Sequence, residues 1–370
     1  MRVVQLLTQE VGGPVDHAVD VAVGLAARGL DSHLVGPASA GTARARAAGV
    51  TWHDLGMATK TDLRGGAAVA RRLVALRPDV VHLQDRRAGW LGRGLGRNLG
   101  DAAVVYTLHG VADGLSDLVP GNTRAAPRRR RDRWYYLTGE RTVTRWGRAR
   151  VVVPSAAVAR FAIDHVGLRP ELVDVVPNGV DPLRFRPGTV PDGPVTALWL
   201  GVLAEVKRLD VLLDAAEELP DLRLLVAGDG PLKDRVERRV DGAALRGRVS
   251  MLGRLADPAP VFARAHLFTL TSAAENCPLA MLQAMSCGLP VVSTAVGGIP
   301  EVVRDGVDGI LCGVDDVASF TAGLRRLSED ALARDRMGRS ARERILAGYS
   351  LDHCLDGLLA TYERARSCAH

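Results

Sequence analysis

The chain has 370 residues, 47% apolar and 24% charged, with a formal net charge of +6. That length holds two domains of ordinary size, each with its own core, and the composition excludes a disordered chain. The charge is too small to argue for nucleic acid by itself. The five cysteines (Cys277, Cys287, Cys312, Cys354 and Cys368) show no Cys-x-x-Cys or zinc-like spacing, so reduced thiols and a cytoplasmic location are expected. Lysine occurs only at Lys60, Lys207 and Lys233. Met1–Thr8 is too short and too polar for a leader, and no run is suited to crossing a bilayer.

Short apolar runs alternate with amphipathic stretches, which predicts parallel sheets with helices on both faces. The first strand is expected over Val3–Thr8. A tight Gly12-Gly13-Pro14 loop, a helix from Val15 to Arg28 and a strand over Ser32–Val35 follow. In such a βαβ unit the first loop lies at the carboxyl end of its strand, where open α/β sheets bind ligands. Gly12 and Gly13 fit close approach of a ligand to the backbone or a plain tight turn. Further strands are expected over Pro78–Leu83, Ala103–His109 and Ala149–Pro154. His109 then faces the same carboxyl-end crevice, although a lone histidine is more often structural.

Five arginines and one aspartate fill positions 128–133, followed by Trp134, Tyr135 and Tyr136. Such a segment suits peripheral contact with anionic lipid at the inner face of a membrane, an acidic or phosphorylated acceptor, or a solvated loop. No nucleic-acid motif accompanies it. Residues 173–181 close the first half, and the Pro- and Gly-rich stretch Pro182–Pro194 reads as a linker.

The pattern then restarts, with strands over Val195–Leu200, Arg223–Ala227, Val249–Leu252 and Leu267–Thr271. A loop over Gly201–Arg208 and a helix over Leu209–Leu219 follow the first of these. Residues 276–300 carry no charge and read as a buried helix and a buried strand. Pro278 suits the first helical turn, Gly288 the left-handed end, and the strand from Val291 runs to Gly297-Gly298. Glu275 stands just before the helix and Gln283 within it. Buried polar groups need partners, and a helix N-terminus attracts anions. The pair fits a phosphorylated, polyhydroxylated ligand; equally, Glu275 caps the helix and Gln283 bonds to nearby backbone.

Glu275, seven residues, Gln283, then AMSCGLPVV and Gly297, Gly298 and Glu301 resemble the donor signature of retaining GT-B glycosyltransferases. That group includes bacterial mannosyl- and N-acetylglucosaminyltransferases. The resemblance covers nearly the whole chain, strongly in the second half and loosely in the first. It implies an α/β GT-B fold with two Rossmann-like domains facing across a cleft. The implied divisions are an acceptor-binding domain over 1–185, a nucleotide-sugar domain over 186–350, and a helix over 351–370 packing back on the first domain. It also implies transfer of a hexosyl group from a UDP- or GDP-linked sugar to a small-molecule or lipid-linked hydroxyl. No separate cofactor is implied. The absence of Asp-x-Asp from the sequence argues for metal independence.

Catalytic roles fall by resemblance on His109 (in a Thr-x-His context), Lys207 and Glu275. Donor contacts fall on Gly12, Gly13, Gly201, Val202, Lys207, Arg208, Arg254, Glu275, Asn276, Cys277, Pro278, Leu279 and Gln283. Two positions depart from the pattern. Val202 stands where the family has an arginine, and loss of such a charge-assisted bond costs about 1.5–3 kcal/mol. Gln283 replaces a carboxylate that accepts bonds from ribose, and an amide accepts one while donating another. A non-catalytic GT-B shell serving as a binding partner is the alternative expectation.

Overall fold

The computed structural model describes residues 1–57, 59, 62–189 and 191–367, except the side chains of Arg97, Arg130 and Arg131. Lys60 and Cys368 lie outside the described residues. The chain folds into two compact units. One comprises residues 1–112, 129–179 and the tail from 351; the other comprises 113–128 and 180–350. Residues 113–128, expected with the first half, therefore group with the second. The longer stretch of the second unit begins at residue 180, where the sequence placed a boundary at 185/186.

The first unit is built on β1 (Arg2–Leu6), β2 (Asp31–Gly36), β3 (Thr51–Asp54), β4 (Val80–Leu83), β5 (Ala103–Thr107), β6 (Arg150–Val153) and β7 (Val173–Val175). They form one parallel sheet in the order β3-β2-β1-β4-β5-β6-β7. Val3, Val4 and Leu6 of β1 are all buried, because helices cover both faces of a parallel sheet. One face carries Val21 and Leu25 of the helix Gly13–Ala27 together with Leu355, Leu358 and Tyr362 of the helix Leu351–Ser367. Burying a side chain such as Leu358 contributes about 2 kcal/mol.

The second unit contains β8 (Thr196–Leu200), β9 (Arg223–Ala227), β10 (Val249–Gly253), β11 (Leu267–Leu270), β12 (Val291–Thr294) and β13 (Gly309–Cys312). The order is β10-β9-β8-β11-β12-β13, again all parallel. The uncharged stretch forms the helix Leu279–Ser286, in which Met281, Leu282, Ala284 and Met285 are fully enclosed. Pro278 is the extended residue before this helix, with ψ 121°, rather than part of its first turn. The following strand stops at Thr294, short of Gly297, as Val296 N–H turns back to Thr294 O at 3.0 Å. In the expected linker, Phe185 is 1% exposed and packs edge-on against Phe262, so this part of the stretch belongs to the core.

At the carboxyl ends of the second sheet, loops touch backbone to backbone. Gly228 has φ +139°, and a Cβ there would lie 1.7 Å from Gly201 O. Replacement Gly228→Ala is expected to destabilise the second unit by about 2–4 kcal/mol through strain and displacement of the 201–208 loop. A thermal melt within a degree of wild type would refute this packing.

Candidate active site

In each sheet the strand order reverses once, between β1 and β4 in the first and between β8 and β11 in the second. Loops leaving adjacent strands in opposite directions open a crevice at the carboxyl edge. In the second unit, the loop after β8 carries Lys207 and the loop after β11 carries Glu275. Lys207 Nζ lies 2.5 Å from Glu275 Oε1, with the side chains 21% and 9% exposed. Two further bonds tie the loops and a third braces the carboxylate from within its own loop. Thr271 Oγ1 donates to Lys207 O at 2.8 Å, Ala273 N–H to Val206 O at 2.8 Å, and Ser272 Oγ to Glu275 Oε1 at 2.7 Å. A carboxylate so nearly buried requires these partners, since an unpaired buried charge costs several kcal/mol.

The segment 113–128 closes this arrangement. Asn122 Oδ1 accepts the Glu275 N–H at 3.1 Å, and Thr123 N–H donates to Ala273 O at 2.8 Å. Gly297, with φ +50°, lets the chain pass so close that a Cβ would lie 1.8 Å from Glu275 O. Glu275 is thus held at its carboxylate by Lys207 and Ser272 and at its amide by Asn122. It does not cap the helix.

In the first unit, Gly12 and Gly13 follow β1, and His109 follows β5. Gly12 has φ +108° and precedes the helix Gly13–Ala27. His17 of that helix lies edge-on to His109, ring centroids 4.9 Å apart. His109 Nε2 is 2.8 Å from Gln84 Oε1 at the end of β4. Burial pushes the His17 imidazole down to about 4 and holds His109 well below the ordinary histidine range, with the nearby His17 and His82 adding to the latter. Both rings are neutral at pH 7.

The sequence matches the model of the glycosyl transferases group 1 over residues 182–344 and that of glycosyltransferase family 4 over residues 11–184. D-inositol 3-phosphate glycosyltransferase of Mycolicibacterium paratuberculosis is 34% identical over 308 residues, covering 78% of this chain and 67% of that protein. The protein of the same name from Geodermatophilus obscurus is 31% identical over 332 residues, covering 81% and 70%. The chain belongs to the group 1 glycosyltransferases. Among solved structures, HepE of Anabaena in complex with UDP-glucose superposes with TM-score 0.82 at 20% identity, covering 98% of this chain and 100% of that one. Sucrose-phosphate synthase of Thermosynechococcus elongatus gives 0.82 at 18% identity, covering 99% of each. The fold is GT-B.

In this glycosyltransferase the expected donor residues do not all gather equally. Lys207 and Glu275 are in contact, with Asn276, Cys277, Pro278 and Leu279 leading into the buried helix. Gln283 lies on that helix and is 7% exposed. Gly201 supports the Gly228 loop, whereas Val202 is half exposed. Arg208 is drawn toward Asp315, its Nε 3.2 Å from the carboxylate but not aligned for a hydrogen bond. Arg254 follows the edge strand β10, is exposed, and pairs with no described residue.

In the basic-aromatic segment, Tyr135 stacks on Trp90 at 4.6 Å and Tyr136 lies under Arg86 at 4.1 Å. Trp134 is 70% exposed. Arg128 pairs with Asp117 at 2.7 Å, and the Arg130 and Arg131 side chains lie outside the described residues. No helix among the described residues is long and apolar enough to cross a membrane. Ser272, Asn122, His17 and Gln84 had no signal in the local sequence, since each acquires meaning only from its partner.

The His17 Nε2 is buried without a hydrogen-bond partner among the described residues. Its pKa is lower in the folded chain than the unfolded value of about 6.5, so the unfolded state binds more protons between those values. The stability from keeping this ring neutral is complete above about pH 6.5 and is lost as pH falls toward about 4. The loss is roughly 3 kcal/mol. Urea unfolding followed from pH 7 to pH 4 is expected to show a shallower decline in His17→Leu than in wild type. Identical slopes would place the titration elsewhere.

Proposed function

We propose that this enzyme transfers a hexosyl group from a nucleotide-diphosphate sugar to a hydroxyl acceptor, with retention and without a metal ion. The observation that carries the reading is the Lys207–Glu275 pair at the reversal point of the second sheet. A diphosphate leaving group develops negative charge. An ammonium group and first-turn helix amides placed beside it stabilise that charge without reorganising. Lys207 supplies the ammonium and the start of the helix Leu279–Ser286 the amides. Donor binding then exchanges part of the Lys207 bond to Glu275 for phosphate, freeing the carboxylate to accept sugar hydroxyls. Gln283, on the buried helix and 7% exposed, carries an amide that can both accept and donate, which suits the ribose hydroxyls.

HepE was solved with UDP-glucose, which makes that sugar the first donor to test. The relatives' name makes inositol 3-phosphate the first acceptor. His109 and the Gly12-Gly13 turn, at the corresponding edge of the first sheet, are assigned to the donor sugar and the reacting hydroxyl. The acceptor attacks on the face the phosphate leaves, and the phosphate assists removal of its proton. The exposed Trp134 and neighbouring arginines suit peripheral contact with an anionic membrane surface if the acceptor is lipid-linked.

Calorimetric titration with UDP- and GDP-sugars is expected to show binding of one of them, and transfer is expected to survive EDTA. Lys207→Ala and Glu275→Ala are each expected to lower transfer at least roughly tenfold. Because Lys207→Ala also strands a nearly buried carboxylate, Lys207→Ala/Glu275→Gln is the companion variant that keeps the fold. An anomeric coupling constant in the product reports retention. No nucleotide binding at millimolar ligand would favour a non-catalytic binding shell, and loss of activity with EDTA would overturn metal independence.

A further inference from the structure

Beneath His109 runs a line of buried polar side chains that ends on the C-terminal helix. His109 Nε2 meets Gln84 Oε1 at 2.8 Å, Gln84 Nε2 donates to Gln5 Oε1 at 2.7 Å, and Gln5 Nε2 donates to Tyr362 Oη at 3.4 Å. Tyr362 Oη lies 2.7 Å from His82 Nδ1, and His82 Nε2 lies 2.6 Å from Thr107 Oγ1. Gln5, His82, Gln84 and Tyr362 are fully buried and Thr107 is 2% exposed, so none substitutes water for these partners. All belong to the first unit.

The donors and acceptors leave one consistent direction. An amide oxygen only accepts, so His109 donates from Nε2. The Tyr362 hydroxyl receives the Gln5 amide, and His82 Nδ1 is the described acceptor within reach of its one hydrogen, so that hydrogen goes to His82 Nδ1. The Gln84 amide lies 3.3 Å from Nδ1 and 3.5 Å from Nε2, so the direction at His82 is set by Tyr362 and Thr107. His82 then carries its hydrogen on Nε2 and gives it to Thr107. Burial keeps both imidazoles neutral, so each has a single N–H to place.

We propose that Tyr362 is a positioning residue for His109: by ending this run it fixes His109 as the Nε2–H tautomer, with the lone pair on Nδ1. The effect on turnover rests on the assignment of His109 to the reacting sugar; the tautomer itself does not. Without the hydroxyl, Gln5 Nε2 and His82 Nδ1 both lose a partner. The two glutamine amides are then free to turn over together, presenting Gln84 Nε2 to His109 and driving it to the other tautomer.

The test is Tyr362→Phe, which keeps the ring and its packing, with Gln5→Leu breaking the run at another point. Leu358→Ala, on the same buried face of the helix, removes packing and leaves the run intact. Histidine ¹⁵N shifts, assigned with His109→Gln, are expected to show Nε2–H in wild type and Leu358→Ala. They are expected to show a mixed or Nδ1–H population in Tyr362→Phe and Gln5→Leu. The kcat for transfer is expected to fall roughly tenfold in those two variants, with the donor KM changed less than about twofold. An unaltered His109 tautomer in Tyr362→Phe overturns the proposal. A shifted tautomer with wild-type transfer, matched by wild-type transfer in His109→Ala, sustains the run and removes His109 from the reaction.

Discussion

A carboxylate nine-tenths withdrawn from water is tenable only where a cation and hydrogen-bond donors meet it, and Glu275 is such a group. Lys207 after β8 and Ser272 after β11 meet the carboxylate, while Asn122 of the inserted segment accepts the backbone N–H of the same residue. Much of the local architecture follows from satisfying it. The loops after β8 and β11 are laced by backbone bonds, Gly297 lacks a side chain so that Glu275 O can approach, and Gly228 lets the first loop settle against the next.

The elements that run buried on both faces were legible as continuous apolar runs. Arg223–Ala227 was expected over those residues, and the helix before Gly288 was expected one residue from its observed start. The edge strand β10 was expected over Val249–Leu252 and runs Val249–Gly253, but two other edge strands were not expected. Thr51–Asp54 offers only Trp52 to the core, and Gly309–Cys312 is four residues beginning with glycine; neither makes a pattern to read. The site divides the same way. Lys207 and Glu275 stood out through the motif around them. Asn122, Gln84 and Tyr362 are ordinary residues whose partners lie 25 to 357 positions away, at distances only the folded sheet makes short.

The departures at Val202 and Gln283 acquire a physical context. Val202 is half exposed, so it introduces no packing defect. It places no charge in a loop whose neighbouring arginine, Arg208, is directed to Asp315. Lys207 is consequently the cation that the loop itself places in contact with Glu275. Gln283 is different in kind: the residue is 7% exposed, and an amide can both accept and donate.

The assignment of residues 113–128 to the second unit bears on how the molecule can be dissected. The polypeptide passes from one unit to the other at 112/113, 128/129, 179/180 and 350/351, so neither unit is a contiguous stretch of gene. A fragment cut at the apparent halfway linker would keep Lys207 and Glu275 yet lack Asn122 and Thr123, leaving the Glu275 amide and the Ala273 carbonyl without their acceptor and donor. Modular exchange of the second half between relatives must therefore carry this sixteen-residue insert from the first half with it.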